Sequence, residues 1–156
     1  MKNDYMAKLQ KVLPEEIEKR SFEIITKELG DAELDPVNAP VIKRVIHTTA
    51  DFEYLHNLCF SERAVEKMKA AIREGISIVT DTQMARSGIN KGQLERYGGQ
   101  VYCFMSDEDV AKSAGENGST RAVASMDKAA NLSEDVIFAV GNAPTAPVSY
   151  THLRAH

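Results

Sequence analysis

The chain has 156 residues, 43% hydrophobic and 6% aromatic, with no tryptophan, which suits one domain built on an aliphatic core. A net charge of −4 argues against a nucleic-acid footprint, which needs a basic stripe, but leaves small-ligand binding open. No apolar run approaches the roughly 20 residues of a membrane span, and the polar stretch Met1 to Gln10 has no secretory pattern, so the expectation is a soluble cytoplasmic protein. Cys59 and Cys103 lack metal-ligand spacing and read as reduced core thiols.

The first element opens at Pro14, followed by Glu15 and Glu16, where a first helical turn tolerates proline and favours acids. Ile17, Ser21, Ile24, Ile25 and Leu29 recur at helical spacing, and Gly30 is the stop. Ser21 thus falls on the apolar face, either bonded back to the Ile17 carbonyl or pointing at something else. After a connector over residues 31–39, Pro40 starts a second helix with Val41, Ile42, Val45 and Ile46 as its stripe; Arg44 and His47 stand three apart on a neighbouring face. A third helix spans Ser61 to Glu74, capped by Ser61, with Ala64, Val65, Met68, Ala71 and Ile72 inward.

Ile76–Thr80, Val101–Met105 and Val136–Val140 read as short buried strands. Helices are expected to start near Thr82, Asp107, Thr120 and Asn142. This alternation defines an α/β fold: three layers, with a mostly parallel sheet covered by helices on both faces. Ligands in such sheets gather beyond the C-terminal strand ends, here Thr80-Asp81-Thr82, Ser106-Asp107 and Gly141-Asn142-Ala143-Pro144-Thr145.

Six segments together carry a resemblance: Ser21-Phe22-Glu23-Ile24-Ile25; Arg44-Val45-Ile46-His47-Thr48-Thr49-Ala50-Asp51-Phe52; Phe60-Ser61; Thr80-Asp81-Thr82-Gln83-Met84; Gly118-Ser119-Thr120-Arg121-Ala122; and Gly141-Asn142-Ala143-Pro144-Thr145-Ala146. In order and spacing they resemble the precorrin-8X (cobalt-precorrin-8) methylmutase family over about residues 13–146. The resemblance implies an isomerase of cobalamin biosynthesis. It moves a methyl group between neighbouring ring carbons of a corrin precursor, giving hydrogenobyrinic acid, or cobyrinic acid when cobalt is already inserted. It implies no cofactor, a tetrapyrrole substrate bound near the interface of a homodimer, His47 as the catalytic histidine, and Ser21 and Arg44 as substrate contacts.

The chemistry suits these residue types. Imidazole exchanges a proton near neutral pH, and arginine grips a carboxylate arm through paired hydrogen bonds. Free backbone N–H groups at helix starts near Thr82, Thr120 and Asn142 suit further carboxylates. The candidate substrate-binding set is therefore Ser21, Arg44, Asp81, Thr82, Thr120, Arg121 and Asn142.

Each role has a plainer reading. Without the resemblance His47 is a hydrogen-bonded structural histidine, Arg44 a surface ion-pair partner, Asp81, Thr82, Thr120 and Asn142 caps, and Arg121 a solvated charge. Asp51 either orients the His47 ring or only ends a helix. His56 reads as a surface helix residue, and Met68, Met84, Met105 and Met126 as core rather than metal ligands; no metal site is expected. GNAPT lacks the lysine of a phosphate-binding loop, and no nucleophile elbow or dinucleotide fingerprint is present. A carrier that holds a corrinoid without transforming it shares the same binding residues and stays open as an alternative.

Beyond Ala146 the sequence Pro147-Val148-Ser149-Tyr150-Thr151-His152-Leu153-Arg154-Ala155-His156 does not resemble the family. The expected organisation is an incomplete methylmutase domain over residues 1–146 and an unrelated tail over 147–156. A final strand without its covering helix predicts poor folding, and lost dimer and substrate contacts, in a domain of only about 5–15 kcal/mol stability.

Overall fold

Pro14 stands in the first turn of helix α1 (Pro14–Leu29), and Gly30 closes it at φ 56°, a left-handed value that glycine adopts without a Cβ penalty. Helix α2 (Ala39–Thr49) starts the same way on Pro40 and ends at Ala50, also left-handed at φ 56°. The computed structural model describes residues 13–141 and 144–154. It divides into two compact units, one ending at Val65 and the other beginning at Glu66.

In the first unit, α1 and α2 pack around Ile25, Ile42 and Ile46, with Leu29, Leu34, Phe52, Tyr54 and Leu55 against them. Burying an isoleucine stabilises by about 1.5–3 kcal/mol, so these three side chains hold the helix pair. Helix α3 (Tyr54–Asn57) follows and carries His56, which is exposed as expected.

Helix α4 (Ala64–Arg73) is shorter than the sequence suggests. Arg63 takes φ 56° just before it, a non-helical value that delays the start to Ala64.

The second unit is built on a three-stranded parallel sheet in the order β2-β1-β3, formed by β1 (Ser77–Thr80), β2 (Val101–Tyr102) and β3 (Val136–Ala139). Ile78 faces Val101 on one side and Ile137 on the other. Gly75 leads into β1 at φ 85°, where an added Cβ would lie 2.6 Å from the Tyr97 carbonyl oxygen; only glycine lets the chain pass there. Strand β2 stops two residues in because the chain turns, Asp107 N–H donating to the Phe104 carbonyl at 3.0 Å.

Among the described residues the unit also holds helices α5 (Gln83–Gly88), α6 (Lys91–Glu95), α7 (Glu108–Glu116), α8 (Arg121–Ala130) and α9 (Thr145–Arg154). The core gathers Val79, Met126, Ala129 and Ala146, with Tyr102, Phe104 and Phe138 packed on it. Helix α9 starts at Thr145, inside the segment that carries the motif resemblance, and runs to Arg154 over most of the residues expected to be an unrelated tail; Ala146, the last residue of that resembling segment, is fully buried. Lys128 joins α8 to the start of α7: its Nζ donates to Asp107 Oδ2 and Asp109 Oδ2, both at 2.7 Å, and lies 5.1 Å from the Phe104 ring centre.

Three expectations are corrected. Cys59 is exposed, while Cys103 is buried. Met68 and Met84 are 47% and 85% exposed, in contrast to Met126 at 1%. Met84 stands on helix α5, whose six residues are too few to define a continuous buried stripe; Met68, on α4, is left exposed because only Val65 of that helix is buried. Ile17 and Ile24, at 55% and 49% exposure, are not packed into a core.

Candidate functional site

Successive turns of α1 bring Glu18, Ser21 and Phe22 onto adjoining faces, and α2 sets Arg44 and His47 three residues apart. Packing of α1 on α2 joins the two sets. Ser21 Oγ lies 2.8 Å from His47 Nδ1, so the serine is bonded across the helix pair and not to its own helix. The imidazole stacks on Phe22, with ring centres 5.2 Å apart and planes inclined by 21°. The Arg44 guanidinium carbon stands 4.8 Å from the same phenyl centre, and Arg44 Nη2 donates to Glu18 Oε1 at 2.6 Å.

A cleft of about 390 Å³ opens beside this cluster, lined by Ser21 and His47 together with Ile17, Arg20, Ile24 and Phe52, among others. The exposed Ile17 and Ile24 are thus wall residues. An apolar cleft with few convergent polar groups has the ordinary make-up of a small-molecule site. Asp51 does not carry the His47 bond: its Oδ1 accepts from the Glu53 N–H at 2.9 Å, the role of a turn carboxylate.

The sequence-derived candidates in the second unit have mainly structural partners. Asp81 is 3% exposed, and its Oδ1 accepts from the Gly141 N–H at 3.0 Å, tying the segment after β3 to the end of β1. Thr82 caps α5 by accepting from the Ala85 N–H at 3.1 Å, and Thr120 caps α8 by accepting from the Val123 N–H at 3.3 Å. Arg121 is exposed in the first turn of α8. Asn142 lies outside the described residues. Among the described residues no group of three or more His, Cys, Asp or Glu side chains is placed to hold a metal ion, and no helix is long and apolar enough to cross a membrane.

Sequence reasoning missed Phe22 and Glu18 as members of the cluster. A faint signal was available: Glu18 and Phe22 are one turn apart on α1, the spacing that lets two side chains serve one partner helix.

A family model described as precorrin-8X methylmutase matches residues 16–155. The chain is 43% identical over 142 residues to a cobalt-precorrin-8 methylmutase of Priestia megaterium, covering 91% of this chain and 63% of that one. It is 44% identical over 139 residues to the cobalt-precorrin-8 methylmutase of Salmonella typhimurium, covering 85% and 66%. A crystal structure of a precorrin-8X methylmutase from Thermus thermophilus superposes with a TM-score of 0.78 at 34% identity, covering 88% of this chain and 68% of that one. The chain belongs to the precorrin-8X methylmutase family. It spans less than two thirds of the two curated relatives' lengths, and the match to the family runs past Ala146, where the motif resemblance ends, through the whole of α9.

Proposed function

We propose that the chain carries the proton-handling centre of a corrin methylmutase, with His47 as the acid–base residue. The observation that carries this is the His47 ring lining a cleft while Ser21 holds its Nδ1 at 2.8 Å. That bond leaves Nε2 as the nitrogen for exchange with a ligand. The reaction is an isomerisation, so no atom is gained or lost: Nε2–H protonates the conjugated macrocycle, one carbon–carbon bond to the methyl group breaks, another forms on the neighbouring ring carbon, and the proton returns to Nε2.

A corrin precursor presents acetate and propionate arms. Arg44 is the proposed grip for one of them, exchanging Glu18 for a substrate carboxylate. The Arg44–Glu18 pair is exposed, 55% and 57% at its two side chains, and such pairs contribute only about 0–1 kcal/mol, so the exchange costs little. In the second unit, taken by itself, Arg121 and the backbone N–H groups of the first turns capped by Thr82 and Thr120 are proposed carboxylate contacts. Asp81 serves by holding the Gly141 N–H, just after β3, at the end of β1. The same reading makes the intact enzyme a cytoplasmic homodimer without a cofactor, its sheet covered on both faces. Val79 and Thr80 point to opposite faces of β1 and are both fully buried, which supports that cover.

The test is incubation of the chain and of His47→Ala with precorrin-8X and with cobalt-precorrin-8, followed by absorbance. Loss of a general acid–base group lowers the rate by about 10²–10⁴, with binding of the ligand retained. Conversion by His47→Ala at the parent rate overturns the proposal. Binding without conversion by the parent itself moves the reading to a corrinoid carrier.

A further inference from the structure

We propose that Phe22 is a positioning residue for His47; the inference rests on the acid–base reading of that histidine. A hydrogen bond at one ring nitrogen fixes where that nitrogen is, but the ring still pivots about the bond. Ser21 supplies the first restraint, at Nδ1, at 2.8 Å. Phe22 supplies the second by lying against the imidazole face at 5.2 Å and 21°. Ser21 and Phe22 are consecutive on α1, so their side chains leave the helix about 100° apart and meet the ring from two directions. Edge and face together leave the imidazole one orientation, which fixes where Nε2 lies in the cleft.

Two observations separate this role from substrate contact and from plain packing. Phe22 does not line the cleft that Ser21 and His47 line but a separate hollow with Lys19, Glu23 and Thr26, so its effect on that cleft passes through the histidine. The same phenyl ring also meets the Arg44 guanidinium at 4.8 Å, and Glu18, one turn earlier, holds that guanidinium in place. One aromatic ring therefore sets the spacing between the proton-handling group and the proposed carboxylate grip, both on α2. An aliphatic side chain of similar volume fills the space but offers neither group a flat face.

The test compares Phe22→Leu and Phe22→Tyr in the full chain, using nitrogen–proton spectra of the imidazoles at about pH 8.5, where a free imidazole is neutral. His47→Gln assigns the resonance. In the parent, the two His47 nitrogens should be well separated, as one tautomer requires, and the carbon-bound ring protons should be shifted upfield by the phenyl ring. Phe22→Leu should draw the nitrogen shifts together and remove the upfield shift, whereas Phe22→Tyr should keep both. In the methyl-shift assay, Phe22→Leu should lower kcat about tenfold or more, and Phe22→Tyr should recover it. Unchanged nitrogen separation in Phe22→Leu overturns the proposal, as does unchanged kcat. If His47→Gln converts substrate at the parent rate, the acid–base reading fails, and the imidazole spectra alone decide the role of Phe22.

Discussion

Ser21 Oγ and His47 Nδ1 lie 2.8 Å apart across two helices, although 26 residues separate them in the chain. The pair is half-buried, and a hydroxyl can donate to or accept from an imidazole nitrogen, so the bond survives either charge state of the ring. A histidine restrained in this way can change protonation without losing its partner, as proton exchange requires.

Removing that partner should hurt catalysis more than folding. Ser21→Ala deletes one side-chain hydrogen bond, about 0.5–1.5 kcal/mol of stability, and leaves the Phe22 stacking in place. We expect an activity loss of about tenfold from the misplaced ring, with a small fall in melting temperature. Paired kinetics and thermal melts check this. Full activity in Ser21→Ala makes the bond incidental.

Glu18→Gln should improve substrate binding. The substitution removes the anion that occupies Arg44 Nη2 while keeping a side chain of equal size. For an exposed pair, stability should change by less than about 1 kcal/mol. KM for the carboxylate-rich substrate should fall about two- to threefold, and the gain should vanish in the double variant Glu18→Gln/Arg44→Gln. If KM is unmoved in Glu18→Gln and in Arg44→Gln alike, Arg44 does not hold the substrate.

The Lys128 cluster gives a pH-dependent prediction. Its hydrogen bond to Lys128 holds the Asp109 carboxyl below the usual carboxylate range. Hydrogen bonds to Asp107 and Asp109 raise the Lys128 ammonium above its ordinary value. A depressed acid contributes stability above its unfolded value, about 3.9, and loses it as pH falls through the folded value. A raised base contributes below its unfolded value, about 10.4, and loses it as pH rises through the folded value. The melting-temperature gap between the parent and Lys128→Met should therefore be widest between about pH 4 and pH 10 and close at both extremes. A gap independent of pH would assign the effect to packing on Phe104 alone.

Much of the local structure was legible in the sequence. Pro14, Gly30 and Pro40 marked the α1 limits and the α2 start because proline and glycine act through backbone geometry, which needs no partner. The apolar runs around Val79, Tyr102 and Phe138 marked three strands. Thr82 and Thr120 were legible as caps, since a cap bonds its own helix. Burial was read less well. Met68 and Met84 share the apolar character of Met126, but only the elements packed around each decide whether it is covered. The same holds for Ile17 and Ile24, which sit on the stripe of α1 and yet form a cleft wall.

The RVIH segment and its companion motifs were enough to point to the family, because those residue types recur in fixed order. From the sequence alone, however, Ser21 had two available partners: the Ile17 carbonyl one turn back and an unknown group elsewhere. The packing of α1 on α2 through Ile25, Ile42 and Ile46 decided between them. It brought an imidazole nitrogen within bonding distance of the hydroxyl and set Phe22 between His47 and Arg44 as their common neighbour. Sequence spacing encodes the neighbours within one helix; which groups meet across two helices is set by the crossing that buries their apolar faces.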